Sequence, residues 1–142
     1  MTFQEGRVIG MEQNDICIKD FKTLIVWQKA RELAQDIYLI TANFPQFETY
    51  ATKSQIIRAV TSIGANIAEG NGQLYKKKQI NFLNNALGSA SETRHWLVIA
   101  ADNGYISQED YDKLEEKTVE IIKMLIGCIR KLQYQTEDEE MA

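Results

Sequence analysis

Four stretches of this chain repeat apolar residues at three- and four-residue steps, and none sustains the two-residue alternation of a half-buried strand. The first stretch carries Leu24, Trp27, Ala30, Ala34, Ile37 and Thr41, widened by Val26, Leu33 and Ile40, and it closes near Asn43 because Pro45 biases its neighbour out of the helical region. The second runs from Thr52 to Glu69 with Ile56, Val60, Ile63 and Ile67 on one stripe, and Gly70-Asn71-Gly72 stops it. The third spans Lys76 to Asn103, with Phe82, Ala86, Ser89, Trp96 and Ala100 beside Leu83, Leu87, Ala90, Leu97 and Ala101, and ends at Asn103-Gly104. The fourth opens on Ser107, a cap with Asp110 three residues on, and carries Tyr111, Leu114, Thr118, Ile122, Leu125, Ile129 and Leu132. Four amphipathic helices on short connections predict an all-α fold, an antiparallel up-and-down four-helix bundle.

The 142 residues suffice for one domain. The expected organisation is a flexible N-terminal arm over 1–20, the bundle over 21–133 and an acidic flexible tail over 134–142. Met11 is compatible with an alternative start that makes Met1 to Gly10 dispensable. Phe44, Phe47 and Tyr50 are expected to pack over one end of the core. The sequence has no run of 18 apolar residues and no signal-peptide segment, so a cytoplasmic protein without membrane contact is expected. Cys17 and Cys128 lack metal or redox spacing and are expected to be unpaired, inert thiols.

Beside the apolar stripe of the second helix lies a polar one, Gln55, Ser62, Asn66 and Glu69, with Arg58 as a donor-rich neighbour and Ser89 and Glu92 at matching spacing on the third helix. Enclosed amides, hydroxyls and carboxylates need partners. These seven residues are therefore expected to form a structural or subunit-contact network that specifies helix register. Trp27 and Trp96 are expected to pack, Trp27 against the core and Trp96 nearer an interface. The only histidine, His95, follows Glu92 by three positions, but one Glu-x-x-His is an incomplete ligand set, so no metal and no cofactor are expected. Without a phosphate-cradling glycine motif or a nucleophile arrangement, no catalytic residue is assigned.

Charge adds a second theme. The chain carries 16 lysines and arginines against 20 acidic residues, a net charge of -4, which gives no general argument for nucleic acid. Locally, Lys53 to Arg94 is net +4 and Glu109 to Glu120 net -4. Lys76, Lys77 and Lys78 sit at the start of the third helix, where cations are unfavourable to the helix dipole. This run is a candidate contact for RNA or DNA as well as a solvated surface. Glu137 to Glu140 add a further -4 at the other end of the chain.

The segments FKTLIVWQKARELA, QIIRAVTSIGANIAEGNG and FLNNALGSASE resemble the bacterial four-helix proteins encoded in 23S ribosomal RNA intervening sequences, the S23-type family. The resemblance covers residues 21 to 133. It is carried by Phe21, Leu24, Val26, Trp27, Gln28 and Ala30, by Phe44-Pro45, by Gln55, Arg58, Ala59, Ser62, Ile63, Asn66, Ile67, Ala68, Glu69 and Gly70, and by Gly88-Ser89 with Glu92. Tyr50-Ala51-Thr52 stands where members carry an aromatic-Gly-Leu step, and Gln73 where an arginine is common. The resemblance implies a non-catalytic bundle that self-associates into a homopentamer, with a related group assisting reverse transcriptases. A weak, sequence-nonspecific RNA- or DNA-binding accessory is the alternative expectation.

Overall fold

A short polar turn sets the start of the first helix. The Asp20 carboxylate accepts from the Lys22 amide at 3.0 Å and the Thr23 hydroxyl donates to the Asp20 carbonyl at 2.7 Å, winding Phe21–Thr23 into a 3-10 turn. Helix α1 (Ile25–Thr41) follows in the computed structural model, which describes residues 8–10 and 17–141. Helix α2 spans Thr52–Asn71, α3 Lys76–Asp102 and α4 Gln108–Met141. Upstream, β1 (Val8–Gly10) pairs with β2 (Cys17–Lys19) in antiparallel register, Ile9 opposite Ile18. The Asn71 side-chain amide donates to the Lys19 carbonyl, tying this pair to the end of α2. The described parts of the arm are thus extended and paired, and the expected flexibility of its remainder lies outside the described residues.

Each helix end has its own chemistry. The Glu48 carboxylate accepts from the Thr52 amide at 3.0 Å and so caps α2 from a 3-10 turn over Gln46–Glu48. Helix α3 ends in a Schellman motif: Gly104 takes φ +73°, its amide donates to Ala101 and the Tyr105 amide donates to Ala100 at 2.9 Å. The Ser107 hydroxyl accepts from the Asp110 amide at 3.1 Å, starting α4 where the capping pattern places it.

The core is assembled from one stripe of each helix. Leu33 and Ile37 of α1, Ile56, Val60, Ile63 and Ile67 of α2, Leu97 of α3, and Ile121 and Leu125 of α4 are fully buried. Three buried threonines satisfy their hydroxyls within their own helices, Thr93 on the Ser89 carbonyl at 2.9 Å, Thr118 on Leu114 at 2.7 Å and Thr41 on Tyr38 at 3.2 Å. Contacts run in opposite chain directions along three pairs of helices. Lys29 meets Glu120 while Asp36 meets Lys117, Arg94 meets Glu115 while Lys76 meets Glu139, and Ser62 meets Ser89 while Gly70 abuts Phe82.

Two expectations need correction. Phe44 is buried, its ring 5.3 Å from that of Tyr105, but Phe47 and Tyr50 are 76% and 95% exposed, because the turn that aims Glu48 at the α2 amides turns both rings outward. The stretch from residue 134, expected as a flexible acidic tail, is the end of α4, which continues to Met141. Leu132 packs on the core and the Thr136 hydroxyl bonds the Leu132 carbonyl at 2.8 Å, so the helix carries its acidic end past the last core layer.

Candidate interaction surfaces

The α2–α3 seam brings together part of the proposed polar network. Asn66 donates its amide to the Ser62 carbonyl at 2.9 Å and to the Ser62 hydroxyl at 3.1 Å, and the Ser89 hydroxyl reaches the same Ser62 oxygen at 3.0 Å. All three side chains are half-buried. Small residues make the approach possible, since Ala59, Ala86 and Ala90 are buried around it. The trio contains no titratable group, so it can fix helix register but offers no base or activated nucleophile.

The remaining four residues lie apart from this trio. Among the described residues no hydrogen bond or ion pair joins Gln55, Arg58, Glu69 or Glu92 to it; Arg58 and Glu69 are exposed on the flank of α2. On α2 Gln55 stands seven residues before Ser62 and Glu69 three after Asn66, about 10 Å and about 4.5 Å along the helix axis, so neither shares the trio's level in the seam. Glu92 accepts instead from the Trp96 indole at 3.3 Å, and His95 lies edge-on to the same ring at 4.7 Å. His95 is exposed. Among the described residues no group of three His, Cys, Asp or Glu side chains could hold a metal ion.

Both tryptophans are half-buried and packed on the core cluster. Trp27 meets Phe21 edge-to-face at 5.0 Å, lies under the Arg31 guanidinium at 5.7 Å and runs beside Gly64 of α2. Cys128 is a free, half-buried thiol whose pKa is raised by burial, with Lys131 pulling it weakly the other way. The side chain of Cys17 lies outside the described residues.

The lysine run has partners that the sequence reading missed. Lys76 is ion-paired and hydrogen-bonded to Glu139, and Lys77 lies 3.6 Å from Glu140, whereas Lys78 forms no ion pair among the described residues. A groove of about 530 Å³ opens beside these pairs, lined by Leu74, Tyr75, the three lysines, Thr136 and Glu139. Half of the signal is in the sequence, the misplaced lysines at the start of α3, and the other half comes from α4 running on to Met141. Cations at the positive N-terminus of α3 and carboxylates at the negative C-terminus of α4 are each unfavourable alone, and each compensates the other when the ends meet.

A further surface lies along α1 and α4, the more loosely joined flank of the bundle. Polar contacts hold its middle: Lys117 reaches Asp36 at 2.6 Å and Glu32 at 3.2 Å, and Lys29 reaches Glu120 at 3.4 Å. A groove of about 640 Å³ opens at one end beside Leu39, and one of about 870 Å³ at the other, floored by Val26, Met124, Gly127 and Cys128 beside Ile25. Leu39 is 75% and Ile25 63% exposed.

The sequence pattern of the family described as 23S rRNA-intervening sequence protein matches residues 22–127, which include the polar trio, both tryptophans and the lysine run. The chain belongs to this family. A crystal structure of a protein of unknown function from the S23 ribosomal protein family of Bacteroides thetaiotaomicron is similar to this family member, with 36% sequence identity and a TM-score of 0.67, covering 74% of this chain and 98% of that one. Comparison with curated proteins gives no match. The family match ends at residue 127, so the last turns of α4, with Thr136 and Glu137–Glu140, lie beyond it. Among the described residues no helix of this family member is long and apolar enough to cross a membrane.

Proposed function

We propose that this chain is a non-catalytic homo-oligomeric scaffold or assembly protein working in the cytoplasm, with the five-membered ring implied by its family resemblance as the assembled state. The open α1–α4 flank carries the reading. Exposed leucine and isoleucine beside grooves on one flank of a bundle are what a neighbouring copy would cover, and the ion pairs between the grooves supply a polar register. The titration-free Ser62–Asn66–Ser89 trio supports a packing role for the family motif on α2.

Light scattering coupled to size exclusion tests this. The wild-type chain should elute as five copies of 16.3 kDa, about 82 kDa. Leu39→Asp and Ile25→Asp should each shift it towards the monomer while circular dichroism shows helicity retained, because both side chains are exposed in the single chain. A wild-type monomer at high micromolar concentration overturns the scaffold reading.

A second reading is a weak, sequence-nonspecific RNA- or DNA-binding accessory. Tyr75, 74% exposed, adjoins the lysine run, and Lys78 is exposed. An aromatic face beside cations suits a single strand, whose bases stack while its phosphates pair.

A further inference from the structure

We infer that the acidic end of α4 is an intramolecular competitor for nucleic-acid phosphate on the Lys76–Lys78 surface, holding that surface closed until the last turns of α4 are displaced or neutralised. The inference rests on the nucleic-acid reading given above. An anionic group is already seated at the place where a phosphate would bind: the Glu139 carboxylate on Lys76, with Glu140 3.6 Å from Lys77. Both lie at the α3 start, where the unpaired backbone amides of a first helical turn add to the attraction for anions.

The contact suits a displaceable cover. Glu139 and Glu140 are about two-thirds exposed, so solvent and salt screen the pairs and an incoming strand carrying many phosphates can outcompete two carboxylates. A groove lined by Tyr75, Thr136 and Glu139 opens beside the pairs. The cover also lies outside the residues that match the family pattern, whereas the lysines lie inside it. The masking element tunes how readily this basic surface takes phosphate.

The test uses the full chain and a fluorescein-labelled oligothymidylate, read by fluorescence anisotropy from about 50 to about 300 mM salt. The variant Glu137→Gln, Asp138→Asn, Glu139→Gln, Glu140→Gln keeps the helical segment and removes its charge. At low salt it should bind about tenfold more tightly than wild type, with a salt slope steeper by about 1.4, two phosphate contacts at about 0.7 each. Adding Lys76→Glu and Lys77→Glu should abolish the gain.

A control with Glu109→Gln, Asp110→Asn, Asp112→Asn and Glu116→Gln makes the same change in net charge at the far end of α4. An equal gain there means that overall charge, not the cover, sets affinity, and overturns the inference. Wild-type binding that depends on Lys76 and Lys77 but does not change on neutralising the α4 end also overturns it, leaving the nucleic-acid reading intact. Amine acetylation mapped by mass spectrometry separates the last case. If Lys76 and Lys77 react faster in the neutralised chain yet no variant binds the oligonucleotide, the contact stands and both the nucleic-acid reading and the inference fall.

Discussion

The α2–α3 and α1–α4 seams of one bundle are built from different materials. Where α2 meets α3, buried alanines and Gly70 let the helices approach closely, and the polar groups present bond one another. Where α1 meets α4, long charged side chains span the middle and grooves open at both ends. The first arrangement spends its apolar surface inside the chain. The second leaves some over, and the proposed self-association rests on that surplus.

Core truncation should separate the two seams most. Ile63→Ala, at a fully buried site on α2, should cost about 2 to 5 kcal/mol, whereas Ile40→Ala, half-buried at the groove beside Leu39, should cost roughly 1 kcal/mol in the monomeric Leu39→Asp background. Urea titration of the two variants measures the difference, and equal losses would break the comparison. Next in size is Gly70→Ala. A β-carbon there would stand 2.9 Å from the Phe82 β-carbon and 3.3 Å from the Gln79 carbonyl, on backbone and side-chain root rather than a flexible tip, so roughly 1 to 3 kcal/mol should be lost. A neutral Gly70→Ala would mean that the close seam has slack.

The polar middle of the other seam should matter less. Lys117→Met removes both the Asp36 and the Glu32 partner, but these side chains are about a third or more exposed, and the loss should be about 0.5 kcal/mol at low salt and vanish at high salt. A loss that salt leaves unchanged would show that Lys117 acts through packing of its stem.

The difference between the seams was only half legible in the sequence. Four helices and their boundaries, except the end of α4, followed from apolar steps, from Pro45 and Gly104 and from the Ser107 cap, because those signals are local. The Ser62–Asn66–Ser89 trio followed because helical spacing places Ser62 and Asn66 on one side. Gln55 and Glu69 share that spacing but stand at other levels along α2, and which level meets a polar partner on α3 depends on how the two helices are set against each other. The pairing of Lys76 with Glu139 was beyond reach for a related reason. Sixty-three residues separate them, and each cluster by itself reads as a solvated surface. What the sequence does carry is the lysine run at an unfavourable helix start; the acidic cluster becomes a helix-end anomaly only because α4 continues to Met141.

The smallest expected effect lies at the end of the bundle, where one side chain links connections belonging to both seams. Glu48, between α1 and α2, caps the Thr52 amide and accepts from the hydroxyl of Tyr105, between α3 and α4, at 3.2 Å. Hydrogen bonding from Thr52, first through its side chain and then its amide, lowers the Glu48 carboxyl below its ordinary value of 4.5, with a weaker contribution from Tyr105, while desolvation opposes the shift. A carboxyl that is more acidic folded than unfolded contributes stability that is fully present above the unfolded value and lost as pH falls through the folded one. The stability difference between wild type and Glu48→Gln should therefore hold from neutral pH down to about 4.5 and narrow below it. Urea midpoints of the two proteins across that range measure it. A gap that persists in acid would assign the role of Glu48 to the shape of the turn rather than to its charge.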